Sequence, residues 1–130
     1  MRLDRGLRQA LREEAARALP FEACGLLGGR GAELLCFIPC RNAAQSAYRY
    51  AIAPEDVMRA LREFERDGME LRAIFHSHPA GEPRPSARDI REAMYPGVLH
   101  LIAGAPPAMA LHGYWLGEGE VREEPLVSED

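Results

Sequence analysis

The sequence predicts an α/β fold, a single-domain mixed sheet with helices packed against it. Three observations lead there. Segments with apolar residues at helical spacing alternate with short apolar runs of strand length, in the order α-β-β-β-α-β-α-β-β-β. No repeat, low-complexity tract or composition shift marks a linker, so one domain over residues 1–130 is expected, its core at about 3–116 and a disordered tail at 127–130. A chain of 130 residues that is 47% hydrophobic has apolar side chain enough for one core.

The elements follow in order. Leu3, Leu7, Ala10, Leu11, Ala15 and Ala18 recur at helical spacing between arginines and glutamates, predicting an amphipathic first helix that ends at Leu19-Pro20. Ala23 to Gly29 is a short apolar strand closed by a glycine turn, with Glu33 to Pro39 as its hairpin partner. Tyr48 to Ala53 reads as a third strand. Pro54-Glu55-Asp56 opens a second helix, which carries Val57, Ala60, Leu61 and Phe64 and stops at Asp67-Gly68. Leu71 to His78 is strand-like and ends in two histidines. The loop 79–85, with three prolines and one glycine, is tight and largely preset, and it borders the histidines as a possible gate. Ser86 to Met94 is a short helix, and Val98 to Ala103, Met109 to Leu116 and Glu120 to Leu126 close the chain as strands.

Charge and composition exclude several classes. A formal charge of −4 with no basic run gives no footprint for nucleic acid. The start, Met1-Arg2-Leu3-Asp4-Arg5, lacks the apolar stretch of a signal peptide, and no segment reaches the length of a membrane span. A cytoplasmic protein without a membrane partner is expected, as monomer or homodimer. Cys24, Cys36 and Cys40 are an odd set with no second Cys/His pair at matching spacing, so buried free thiols are expected.

The chemistry concentrates at His76-Ser77-His78-Pro79, followed after six residues by Ser86-Ala87-Arg88-Asp89. Two histidines one residue apart on a strand point the same way, because side chains alternate faces. A carboxylate returning after a short loop can close a third corner. Two histidines and a carboxylate with one open position is a ligand set of catalytic zinc, whereas structural zinc prefers four protein ligands. Two polar residues satisfied at a strand end would be the plain alternative, but the apolar run before His76 needs neither. Asp89 has a rival role, since Ser86-x-x-Asp89 after Pro85 has the form of a helix capping box. Cap and ligand are expected to compete for that carboxylate, and on this stretch alone both stay open. His100 and His112 stand singly in apolar strands and read as structural. A catalytic zinc also needs a base for the water it activates. Glu22, beside the Ala23 strand, is a candidate that spacing alone does not select among the acids.

Phe21-Glu22-Ala23-Cys24-Gly25-Leu26-Leu27-Gly28 taken together with His76-Ser77-His78-Pro79-x₆-Ser86-x₂-Asp89 resembles the JAMM/MPN+ zinc metalloproteases, in their short prokaryotic form. The resemblance spans about residues 3 to 116. It implies a cytidine-deaminase-like (MPN/JAB) α/β sandwich. It implies that His76, His78 and Asp89 bind one Zn²⁺ per chain with a water in the fourth position, that Glu22 is general base and then acid, and that Ser86 donates to the oxyanion. The implied activity is hydrolysis of the peptide or isopeptide bond after the C-terminal Gly-Gly of a ubiquitin-like or sulfur-carrier protein. Release of an amino acid from a sulfur carrier's C-terminus is the related alternative. A zinc deaminase is disfavoured by the absence of Pro-Cys-x-x-Cys, and a non-catalytic MPN scaffold by the presence of every ligand.

Overall fold

The computed structural model describes residues 1–93 and 97–129. In chain order the elements are β1 (Arg2–Asp4), α1 (Arg5–Ala18), β2 (Cys24–Arg30), β3 (Glu33–Cys40), α2 (Pro54–Arg66), β4 (Glu70–Ser77), α3 (Ala87–Arg91), β5 (Leu99–Ala103), β6 (Leu111–Gly117), β7 (Glu120–Glu124) and β8 (Val127–Glu129). The strands form one sheet in the order β7-β6-β5-β4-β2-β3-β1-β8. It is mixed, as expected: β4 runs parallel to β5, and β1 parallel to both β3 and β8, while β2 is antiparallel to each neighbour. No helix among the described residues is long and apolar enough to cross a membrane.

Period-two alternation in β2 and β4 divides the core. Leu27, Ala73 and Phe75 pack with Leu11 and Ala15 of α1. Cys24, Leu26 and Ile74 point the other way and pack with Ala60 and Phe64 of α2. Even-numbered positions of β2 from Cys24 to Gly28 and of β4 from Ile74 onward therefore face α2, and His76 is the last of them in β4. Two glycines of β2 serve the two faces. A β-carbon on Gly25 would collide with the Phe37 ring, and one on Gly28 with the Phe64 ring, so each lets an aromatic side chain lie directly on the strand backbone.

The sequence reading needs four corrections. The first helix starts at Arg5, because Asp4 is its N-cap: Asp4 Oδ1 accepts from Leu7 N at 2.7 Å. Arg2–Asp4 then pair as β1. The tail expected to be disordered is not, since Val127–Glu129 pair with Arg2–Asp4; Asp130 lies outside the described residues. Tyr48–Ala53 is not a strand, because its backbone groups are taken locally. Asn42 Oδ1 accepts from Ala51 N at 3.1 Å, Asn42 Nδ2 donates to Arg49 O at 3.0 Å, and Ala43 N donates to Ala51 O at 2.8 Å. The short helix is Ala87–Arg91 and shorter than expected; Met94, its expected end, lies outside the described residues.

Cys24 and Cys40 are buried and Cys36 partly so, and all three are free. Burial pushes the Cys24 thiol up to about 12 and the Cys40 thiol up to about 11, so neither forms a thiolate near neutral pH. The loop 79–85 is pinned rather than loose. Ala105 N donates to Gly81 O at 2.9 Å, and Tyr114 Oη donates to Pro83 O at 3.0 Å.

Candidate metal centre

Strand register assembles the site. Cys24 pairs with His76 across β2 and β4. Continuing that antiparallel pairing two residues beyond the ladder sets Glu22 opposite His78, on the face that carries Cys24 and Leu26. Ser77 points to the opposite face, where its Oγ accepts from Ala23 N at 2.8 Å. His78 N donates to Ala103 O at 2.8 Å, which keeps the chain aligned with β5 past the end of β4. His76 and His78 thus leave the sheet on the same side.

Asp89 arrives from α3. Ser86 Oγ accepts from Asp89 N at 3.0 Å, and Asp89 Oδ2 accepts from Ser86 N at 2.9 Å, completing a capping box. The same Oδ2 lies 3.1 Å from His76 Nε2 and 3.1 Å from His78 Nε2, and the two nitrogens are 3.1 Å apart. The capping contact does not turn the carboxylate away from the histidines: one oxygen has lone pairs in more than one direction, and here it meets Ser86 N and both histidine nitrogens.

The triangle fits a cation. His78 Nδ1 lies 2.8 Å from Glu82 O, and since a carbonyl only accepts, Nδ1 carries the proton. Neutral His78 then turns the Nε2 lone pair toward the lone pairs of Asp89 Oδ2, and only a proton or a metal between them makes that contact favourable. A tetrahedral zinc with nitrogen and oxygen ligands at about 2.0–2.1 Å sets ligand atoms about 3.3 Å apart, close to the separations found here. The Glu82 contact is the kind of outer hydrogen bond that orients a metal-binding histidine. His76 Nδ1 is buried and has no such partner among the described residues; its ring is stacked on Tyr50 instead, with centroids 4.7 Å apart.

Burial lowers the pKa of His76, outweighing the Asp89 carboxylate. For His78 burial acts the same way but is outweighed by the Asp89 and Glu82 hydrogen bonds, so its pKa rises. Burial would raise Asp89, yet the two histidines hold it well below the ordinary carboxylate range. Glu22 is 3% exposed, and burial pushes its carboxyl up to about 7, against the pull of His78. Its Oε1 has no hydrogen-bond partner among the described residues. A buried carboxylate oxygen left unpaired beside a histidine-rich corner is a place for a polar ligand. A cavity of about 450 Å³ borders His76 and Asp89, with walls from Leu26, Val57 and Ile74.

The other two histidines stand apart from the triangle. His112 pairs with Glu123 at the surface, Nδ1 to Oε2 3.1 Å. His100 is 3% exposed, its Nε2 is unpaired among the described residues, and burial pushes its pKa down to about 4. Between about pH 6.5 and 4 the unfolded chain takes up a proton that folded His100 refuses, so stability falls as pH drops through that window, by up to about 3 kcal/mol. Raised Glu22 tilts the curve the opposite way, because the folded chain holds its proton longer. Urea unfolding of wild type against His100→Leu separates the two: the variant's curve should lose less stability from pH 6.5 to 4, and identical slopes would assign the acid sensitivity elsewhere.

Two neighbours of the site escape sequence reading. Tyr50 sits in a segment read as a strand, and Asn42 is a lone polar residue after an apolar run. The one signal pointing to Asn42 is a short amide side chain directly following a strand, a common organiser of loops.

With this geometry in view, comparison with known proteins is informative. Residues 4–116 match the family model for prokaryotic homologues of the JAB domain. A desampylase of Haloferax volcanii is 36% identical over 121 residues, which span 91% of this chain and 86% of the relative. A Thermus thermophilus protein named as a probable TtuB-protein conjugate cleaving protease is 41% identical over 117 residues, 89% of this chain and 76% of the relative. The solution structure of a Desulfitobacterium hafniense protein superposes with a TM-score of 0.92 at 30% identity, covering 99% of this chain and 92% of that one. Sequence and fold agree: the chain belongs to the family of prokaryotic JAB-domain homologues.

Proposed function

We propose that this protein is a zinc metallopeptidase that hydrolyses the peptide or isopeptide bond after the C-terminal Gly-Gly of a ubiquitin-like or sulfur-carrier protein. His76, His78 and Asp89 hold one zinc per chain. The observation that carries the reading is the 3.1 Å triangle of His76 Nε2, His78 Nε2 and Asp89 Oδ2, set beside a buried Glu22 whose Oε1 is unpaired among the described residues. The substrate class rests on the relatives named desampylase and TtuB-protein conjugate cleaving protease. Zinc bound by such ligands acts as a Lewis acid and brings the pKa of a coordinated water to about 7.

The chain's own residues supply the rest. Glu22, with a carboxyl near pKa 7, is divided between its two protonation states at neutral pH. It can therefore take a proton from water at Oε1 and return it to the leaving amine. Ser86 Oγ accepts from Asp89 N, which uses a lone pair and leaves the hydroxyl hydrogen free. That hydrogen is the donor for the oxyanion, a contribution typically about 2.7–4 kcal/mol in such sites. A diglycine tail lacks the side chains that would clash in a narrow approach to the metal. Free thiols at Cys24, Cys36 and Cys40 suit a cytoplasmic setting, where thiols stay reduced.

The test is metal removal. Purified protein should contain about one zinc per chain, and chelation should abolish cleavage of a protein fused through a Gly-Gly tail, with zinc restoring it. Full cleavage by metal-free protein would sink the mechanism.

A further inference from the structure

We infer that Asn42 is a positioning residue for this reaction, holding Glu22 and His76 in a common geometry through the loop 43–51. The inference rests on the proposed function and extends it to a residue outside the metal-binding motif. Asn42 is 8% exposed, and its amide is used in full. The two Nδ2 hydrogens reach three carbonyls, Glu22 O at 3.1 Å, Arg49 O at 3.0 Å and, as a shared contact, Ser46 O at 3.3 Å. Oδ1 accepts from Ala44 N at 3.0 Å and Ala51 N at 3.1 Å.

Both ends of this network lie in the site. Glu22 N donates to Ser46 O at 2.8 Å, so both backbone polar groups of Glu22 are tied to the loop or to Asn42. At the other end Tyr50, next to Arg49, stacks on the His76 ring at 4.7 Å, with the planes 20° apart. The Glu22 carboxylate lacks a hydrogen bond at Oε1 among the described residues, so its direction is set by its backbone and packing. His76 likewise lacks an Nδ1 partner there, and its ring plane is set by Tyr50. In each case the device that usually orients a reacting group is missing at the side chain and replaced by something that Asn42 holds. An asparagine that merely organised a turn would have no reason to reach the carbonyl of the base.

The experiment uses zinc-loaded full-length Asn42→Ala and Asn42→Asp on a Gly-Gly fusion substrate. Misplacing a reacting group by about 1 Å costs about 10²-fold in rate. At saturating zinc, kcat should therefore fall by about that factor while KM is retained. Asn42→Asp keeps acceptors for Ala44 N and Ala51 N but loses the donor to Glu22 O, so it should show the same split, and it carries the test if Asn42→Ala does not fold. In a Glu22→Gln background, Asn42→Ala should cost much less than it does in the wild type, because one of the two groups it positions is already gone. Wild-type kcat in both single variants, or losses that multiply in the double variant, would overturn the inference and leave the proposed function standing. A zinc-loaded wild type that cleaves nothing would instead remove the proposed function, and this role with it.

Discussion

Glu22→Gln should retain zinc and lose about 10²–10⁴-fold in turnover, the usual contribution of general acid–base catalysis. Glutamine has nearly the same shape and fills the same 3%-exposed site, but it has no proton to exchange near neutral pH. The substitution should also make the protein more resistant to unfolding above pH 7. Wild-type Glu22 has its pKa raised to about 7 by burial, so above that pH folding must bury a charge that the unfolded chain leaves in water. Steady-state kinetics, zinc content and urea unfolding at pH 8 read the three effects separately. Loss of zinc together with turnover would make Glu22 a structural residue, and full turnover would remove it from the chemistry.

Asp89→Asn should weaken zinc binding by more than about 100-fold, beyond what losing an outer hydrogen-bond partner typically costs. It should also lower the stability of the metal-free protein by about 1 kcal/mol, the usual worth of a helix cap. Both follow from one atom: Asp89 Oδ2 accepts from Ser86 N at 2.9 Å and lies 3.1 Å from both histidine nitrogens. Asparagine has a single, uncharged acceptor oxygen and cannot match the carboxylate in either role. Competitive chelation measures the first effect, and melting of the two metal-free proteins measures the second. Unchanged zinc affinity with a lowered melting temperature would reduce Asp89 to a cap.

Much of this molecule was legible in the sequence where one physical rule dominated. The runs through β2 and β4 declare themselves by apolar content, and period two alone sets His76 and His78 on one side of the chain. The misreadings occur where two rules met. Leu3 fits the helical pattern, yet Asp4 is a better cap than helix residue, and the three residues before α1 are free to pair. Tyr48–Ala53 has a strand's composition, but the amide of Asn42 takes the hydrogen bonds a neighbouring strand would need. Glu22 could not be chosen from spacing, because its place opposite His78 is a property of strand register over some fifty residues of chain. For Asp89 the reason is simpler: a sequence position suggests one role, whereas an oxygen atom offers several lone pairs.

The double use proposed for that oxygen would link metal occupancy to local folding. α3 is five residues long, far below the length at which a helix holds together on its own in water. With zinc held by His76, His78 and Asp89 as proposed, its capping box and the metal corner would be thermodynamically one unit, so whatever stabilises the helix would raise zinc affinity, and zinc would in turn stabilise the helix. The affinity expected of such a site is then the intrinsic affinity of three donors less the free energy of ordering this single turn. Surface residues such as Arg88 and Glu92, paired at 3.7 Å along the helix, become tuning points for how readily the protein gives up its metal, without touching a ligand.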